Sequence, residues 1–213
     1  MRSHTVEFTH NAPALKGRIT GAVWSQAEKL ELSDCVTGEQ TQLSTQVFLL
    51  RDSEYLYVGF EVQDTEIIAN YENRDDPLYE EDVVEVFLAP GQNLHYYYEF
   101  NFSPQAVIFD ALVLNDDGSA ENGRGELKTW VDWNCDNLIA AAHTEESGNW
   151  SVTAAIPFTD LHFAGNRPPQ PGDQWRANFC RIEYGLDETE YSAWNPPGIL
   201  DFHTTEKFGL LKF

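Results

Sequence analysis

The feature that most constrains this chain is a repeated rhythm. A short run rich in Val, Ile, Phe, Tyr and Trp is followed by turn residues, then by another such run. The runs cover 46–50 (QVFLL), Tyr55–Val62 (YLYVGFEV), 82–88 (DVVEVFL), 94–102 (LHYYYEFNF), 106–114, 126–133, 137–143, 150–156, 175–184 and 208–213. Between them lie Arg51-Asp52-Ser53-Glu54, Asn115-Asp116-Asp117-Gly118, Ser147-Gly148-Asn149 and the stretch 168–172, all typical of turns. Roughly ten strands at this spacing predict an all-β fold, a β-sandwich of two antiparallel sheets of the immunoglobulin- or jelly-roll-like kind. Few or no helices are expected. The best helical signal, Ile156 to Leu161, is one turn long and reads as a loop element. No linker or repeat interrupts the series, so residues 1–213 read as a single domain.

Period-two alternation assigns faces. In Tyr55–Val62, Leu56, Val58, Phe60 and Val62 share one side, opposite Tyr55, Tyr57 and Glu61. In the run 82–88, Val84, Val86 and Leu88 share one side and Val83, Glu85 and Phe87 the other. A carboxylate in so apolar a strand is costly if buried unpaired, so Glu85 must face solvent, a cleft, a cation or hydrogen-bond donors.

Charge narrows the partners. The 213 residues carry 13 Lys+Arg against 35 Asp+Glu, a formal net charge of -22. Nucleic acid and anionic membrane would be repelled from most faces, whereas neutral or cationic partners and hard cations are permitted. The three cysteines, Cys35, Cys135 and Cys180, form no C-x-x-C pair and read as buried small hydrophobes. The first twenty residues hold no apolar core of a signal peptide, and no run approaches a membrane span. The expectation for the chain as it stands is a cytoplasmic protein.

Catalytic signatures are missing. There is no G-x-S-x-G, Gly-rich phosphate loop or H-E-x-x-H motif, and 35 acids are too many for any pair to be diagnostic of glycoside cleavage. The segment Asp75 to Asp82 is acid-rich without the EF-hand order, so it reads first as a solvated loop. Asp64, Asp82 and Asp110 are the candidate oxygen donors for a structural calcium. Aromatics say more. Tyr79 sits in a polar loop just before a strand, Trp194 lies in Ser192-Ala193-Trp194-Asn195-Pro196, and Phe202 and His203 precede the last strand. Flat loop aromatics suit the C–H face of a sugar ring, and its hydroxyls want donors and acceptors at the rim. Arg181 and Glu183, same-face neighbours on their strand, are candidates for those hydrogen bonds.

These segments together resemble a known family. The order runs 49–58 (LLRDSEYLYV), 79–88 (YEEDVVEVFL), 149–157 (NWSVTAAIP), 172–179 (GDQWRANF) and Lys207-Phe208-Gly209. It is similar to the family 9 carbohydrate-binding modules, in their stand-alone branch, from about Gly17 to Phe213, which would be the core. The resemblance implies a β-sandwich that binds a mono-, oligo- or polysaccharide between two aromatic side chains, without catalysis of its own and often with structural calcium. Carried over by position, Tyr79 and Phe202 are the two clamp aromatics, Glu85 a sugar-contacting glutamate and Trp194 a loop tryptophan. The chain departs from the pattern in having Glu99 where a sugar-binding arginine stands two residues before an asparagine, here Asn101. An asparagine shortly before the second aromatic falls near Ile199. Two alternatives stay open. One is an enzyme acting on glycosides through carboxylates such as Glu85 and Glu183. The other is a haem-binding sandwich, for which Met1 is the sole methionine available as an axial ligand.

Overall fold

The rhythm of the sequence becomes two packed sheets in the computed structural model, which describes residues 1–115 and 127–213. Among the described residues the strands are β1 (Ser3–Thr5), β2 (Glu7–Phe8), β3 (Lys29–Glu31), β4 (Ser33–Asp34), β5 (Thr45–Arg51), β6 (Tyr55–Val62), β7 (Val83–Ala89), β8 (Tyr96–Phe102), β9 (Ile108–Asn115), β10 (Leu127–Trp130), β11 (Ile139–Thr144), β12 (Trp150–Pro157), β13 (Gln174–Glu183), β14 (Glu190–Ala193) and β15 (Gly209–Lys212). Helical structure among them is confined to single 3-10 turns, one of which, Phe158–Asp160, falls where the sequence placed a one-turn element. The fold is therefore the all-β sandwich expected. Asp116, Asp117 and Gly118 of the expected turn and Glu126 of the expected strand lie outside the described residues.

The first sheet has the order β1-β15-β13-β7-β8-β9-β10, with β14 beside β13 and β4 beside β14. The second has the order β11-β12-β6-β5-β2, with β3 also on β5. Most neighbours are antiparallel, as expected. The exceptions are β1 with β15 and β2 with β5, which pair parallel. Both come from the N-terminal segment, which adds one short strand to each sheet and so covers part of two edges. The sequence reading misses β1, β2, β3, β4 and β14, strands of two to four residues that show no period and lie in no long apolar run.

Alternation places the core where it was read. Leu56, Val58, Phe60 and Val62 of β6 face Val84, Val86 and Leu88 of β7 within one buried cluster between the sheets. Phe60 meets Phe179 edge-on at 6.4 Å, and Phe179 meets Trp194 at 5.7 Å. The outer faces are covered too. Tyr57 packs under Trp24, Leu15 and Ile19 on the second sheet. On the first sheet Val83, Phe87, Tyr97, Phe109, Phe202 and Phe208 form a separate cluster, so every residue of β7 is buried. Cys35, Cys135 and Cys180 are buried free thiols, in line with the hydrophobe reading.

Gly209 shows how tightly the last strand seats against the core. A Cβ there would lie 2.3 Å from Trp194 Cζ3 and 2.2 Å from Asn195 Nδ2, inside van der Waals contact. Gly209→Ala is expected to destabilise the fold by about 1–3 kcal/mol, the usual range for overpacking, with a lower midpoint in chemical denaturation. An unchanged midpoint would show that Trp194 yields freely.

Candidate functional site

A cleft of about 560 Å³ lies on the outer face of the first sheet. Glu85 and Phe87 of β7, Glu99 of β8 and Ile182 of β13 form its floor, while Tyr79, Tyr191 and the loop Leu200–His203 rise around it. Register explains the floor. Glu85 pairs with Asn101 and Phe87 with Glu99, so Glu85 and Glu99 sit diagonally on one face. Asn101 Nδ2 donates to Glu99 Oε1 at 3.0 Å. Glu85 is 2% exposed and Glu99 5%. Burial first, then the charge of Glu99, holds the Glu85 carboxyl well above the usual carboxylate range.

The rim is aromatic. Tyr79, on the 3-10 turn Leu78–Glu80, is 45% exposed and stands edge-on to Phe109 at 5.8 Å. Its backbone carbonyl accepts from Tyr184 Oη at 3.2 Å. Phe202 is 9% exposed and wedged between Phe87, at 6.4 Å, and Tyr191, at 6.1 Å. His203 is pinned by Tyr97, whose hydroxyl lies 2.5 Å from Nδ1, and by Asn115 Nδ2, which donates to its carbonyl at 3.2 Å. The structure thus brings Tyr79, Glu85, Phe202 and His203 into one cleft. Glu99 belongs with them, and its signal was the one that marked Glu85: an acid inside an aromatic strand.

Arg181, Glu183 and Trp194 do not join them. On β13 the alternation sends Cys180 and Ile182 to the cleft side, and Phe179, Arg181 and Glu183 inward. Trp194 is 2% exposed and packs in the intersheet core. Glu85 and Glu183 consequently lie on opposite faces of the sheet, so a glycoside-cleaving pair made from these two shares no cleft. Of the candidate calcium donors, Asp110 stands apart, paired with Arg74 at 2.6 Å.

Asp64 and Asp82 do converge, with Glu183, in a second constellation. One oxygen from each lies within 4.8 Å of the others, and all three residues are buried. Asp64 accepts from Trp150 Nε1 at 2.8 Å and from the Glu66 amide at 2.9 Å. Asp82 accepts from the amides of Ile68 and Tyr184, and Glu183 from that of Gly185. Arg181 reaches Asp64 at 3.4 Å and also pairs with Glu183. The donors are of the hard-oxygen type that calcium takes. Gly185, whose missing Cβ leaves room for the Glu66 carbonyl (2.3 Å from where that atom would be), lets a further oxygen approach Glu183. Three carboxylates against one guanidinium leave an excess formal charge of about two in a buried place, which a cation or protons would relieve.

Burial pushes Glu183 up to about 7 and raises Asp82 as well, with Arg181 opposing both. Because the folded chain holds these protons more tightly than the unfolded one, their contribution is full below the ordinary carboxylate range and is lost as pH rises through about 7. With a chelator present, the melting temperature is expected to fall between about pH 5 and about pH 8, and Glu183→Gln to flatten that slope. Equal slopes in the two proteins would refute the assignment.

Against this geometry, comparison with known proteins gives a consistent family. The model described as carbohydrate family 9 binding domain-like matches residues 15–213. No curated protein sequence matches the chain. Among solved structures, a proposed carbohydrate-binding protein of Bacteroides uniformis is similar with a TM-score of 0.77 at 16% identity, covering 100% of this chain and 99% of its own. A family 9 module of Caldicellulosiruptor kristjanssonii, solved with cellotriose, gives 0.65 at 15% identity over 99% and 93% of the two chains. The structure of such a module with glucose gives 0.59 at 17% identity over 99% and 95%. The chain belongs to the carbohydrate family 9 binding domain-like proteins.

Proposed function

We propose that the protein binds carbohydrate without transforming it, holding a sugar ring or a polysaccharide chain end in the cleft of the first sheet in support of carbohydrate catabolism. The observation that carries this reading is one concavity in which an exposed aromatic, Tyr79, stands over buried hydrogen-bonding carboxylates. Tyr79 offers a flat apolar face to ring C–H groups, Phe202 backs the opposite wall, and Glu85, Glu99 and His203 take hydroxyls. Related modules solved with glucose and cellotriose support saccharides as the partner class. Calorimetric titration with glucose and with cello- and xylo-oligosaccharides tests it. Tyr79→Ala is expected to weaken binding roughly tenfold, about 1.4 kcal/mol, with little change in stability because the ring is largely exposed. Phe202→Ala should weaken binding and also lower the melting temperature, since Phe202 packs on Phe87 and Tyr191. Undiminished affinity in both variants would remove the cleft as the site.

The charge excess at Asp64, Asp82 and Glu183 favours a second element of the reading, a structural calcium held by those residues. At neutral pH calcium is expected to raise the melting temperature of the wild-type protein and not that of Asp82→Asn. Equal responses would place any calcium elsewhere.

A further inference from the structure

The polar part of the cleft floor is two glutamates, set between the apolar Phe87 and Ile182. Glu85 and Glu99 share one face of β7 and β8, and Asn101 lies directly across from Glu85 in the register. Asn101 spends an amide hydrogen on Glu99 Oε1, at 3.0 Å. Its own Oδ1 is buried without a hydrogen-bond partner, in a side chain that is 0% exposed. An unpaired buried carbonyl is costly, so a donor arriving from the cleft would relieve it. Among the described residues lining the cleft there is no Lys or Arg to neutralise the two glutamates. The cleft therefore presents Glu85 and Glu99 on its floor and Asp201 on its rim to whatever enters, with the orphan Asn101 acceptor buried beside them on the same sheet face.

A neutral hydroxyl brings one donor hydrogen and no charge. An ammonium brings three donors and the compensating charge in the same volume, and its hydrogen bonds to carboxylates are roughly twice as strong as neutral ones. A carboxylate on the ligand would meet an acidic floor with no Lys or Arg among the described lining residues to pair with, and be disfavoured. Resting on the carbohydrate reading above, we propose that the cleft selects amino sugars, pyranoses carrying a free amine beside their hydroxyls, over neutral sugars, and rejects uronic acids. Glu85 and Glu99 are the specificity-determining residues, and Tyr79 stacks on the ring as it would on any pyranose.

Calorimetric titration of the full chain at about pH 6.5 with glucosamine, glucose, N-acetylglucosamine and glucuronate tests this. N-acetylglucosamine keeps the nitrogen at the same ring carbon and removes its charge, adding an acetyl group. Glucosamine is expected to bind about tenfold tighter than glucose or N-acetylglucosamine, and glucuronate more weakly than all three. Glu99→Gln, which preserves shape and hydrogen bonding to Asn101, should bring glucosamine and glucose to within about threefold. Glucosamine binding no tighter than glucose, or glucuronate binding as tightly as glucose, would overturn the proposal. If neutral sugars bind without any preference for the amine, the carbohydrate reading stands and the selectivity falls. If no sugar binds to protein that is folded by near-ultraviolet circular dichroism, both fall. The wild-type comparison decides the selectivity even if the Glu99 variant fails to fold.

Discussion

The arrangement of this protein depends on the period of two in β7, β8 and β13. One residue of shift moves a side chain from one face of the first sheet to the other. Both faces of that sheet are covered, so polarity cannot sort carboxylates into wet and dry sets; position alone decides. Glu85 and Glu99 go outward to the cleft, and Glu183 goes inward beside Asp64 and Asp82. Two groups of buried acids thus lie on opposite sides of one sheet with different surroundings. The inward group has Arg181, the Trp150 indole and several backbone amides as partners. The outward group has an asparagine and an opening.

Burial of charge is tolerated only with compensation, and the two groups meet that condition differently. Inside, the guanidinium and the amide donors provide part of it, and Glu183 holds its proton more tightly, first because it is buried and then because Asp82 and Asp64 lie beside it, against the pull of Arg181. In the cleft no Lys or Arg stands among the described lining residues, and the Glu85 proton is held first by burial and then by Glu99. The inner cluster, closed on all sides, is a structural one.

The strand pattern explains how much could be read without coordinates. Eight of the ten runs and the inward face of β6 were legible because strands of six to ten residues show their period and their turns plainly, and the runs at β10 and β15 stood out by their apolar residues. The short edge strands were not, and neither was the parallel pairing of β1 and β2, since contacts with β15 and β5 join residues far apart in the chain. For the site, Tyr79 and Phe202 stood out as loop aromatics before family likeness paired them, and Glu85 through its cost as an acid in an apolar strand. Arg181 and Glu183 were correctly placed on one face, but alternation cannot say which face is inward when both are buried. Trp194 misleads for a related reason. Its polar neighbours belong to a loop, while its ring packs against Phe179 and over Gly209.

The inner cluster and the cleft are separate in space but joined through Asp82 and Tyr184. Asp82 immediately precedes β7 and accepts from the backbone amide of Tyr184 at 2.7 Å. The Tyr184 hydroxyl in turn donates to the carbonyl of Tyr79, the exposed ring at the cleft rim. The loop between Tyr79 and β7 is only Glu80, Glu81 and Asp82, so it is fastened at both ends by groups that answer to the buried charge. One short loop, 80–82, thus links a carboxylate of the buried cluster to the aromatic rim of the cleft, with Tyr184 bonded to both of its ends.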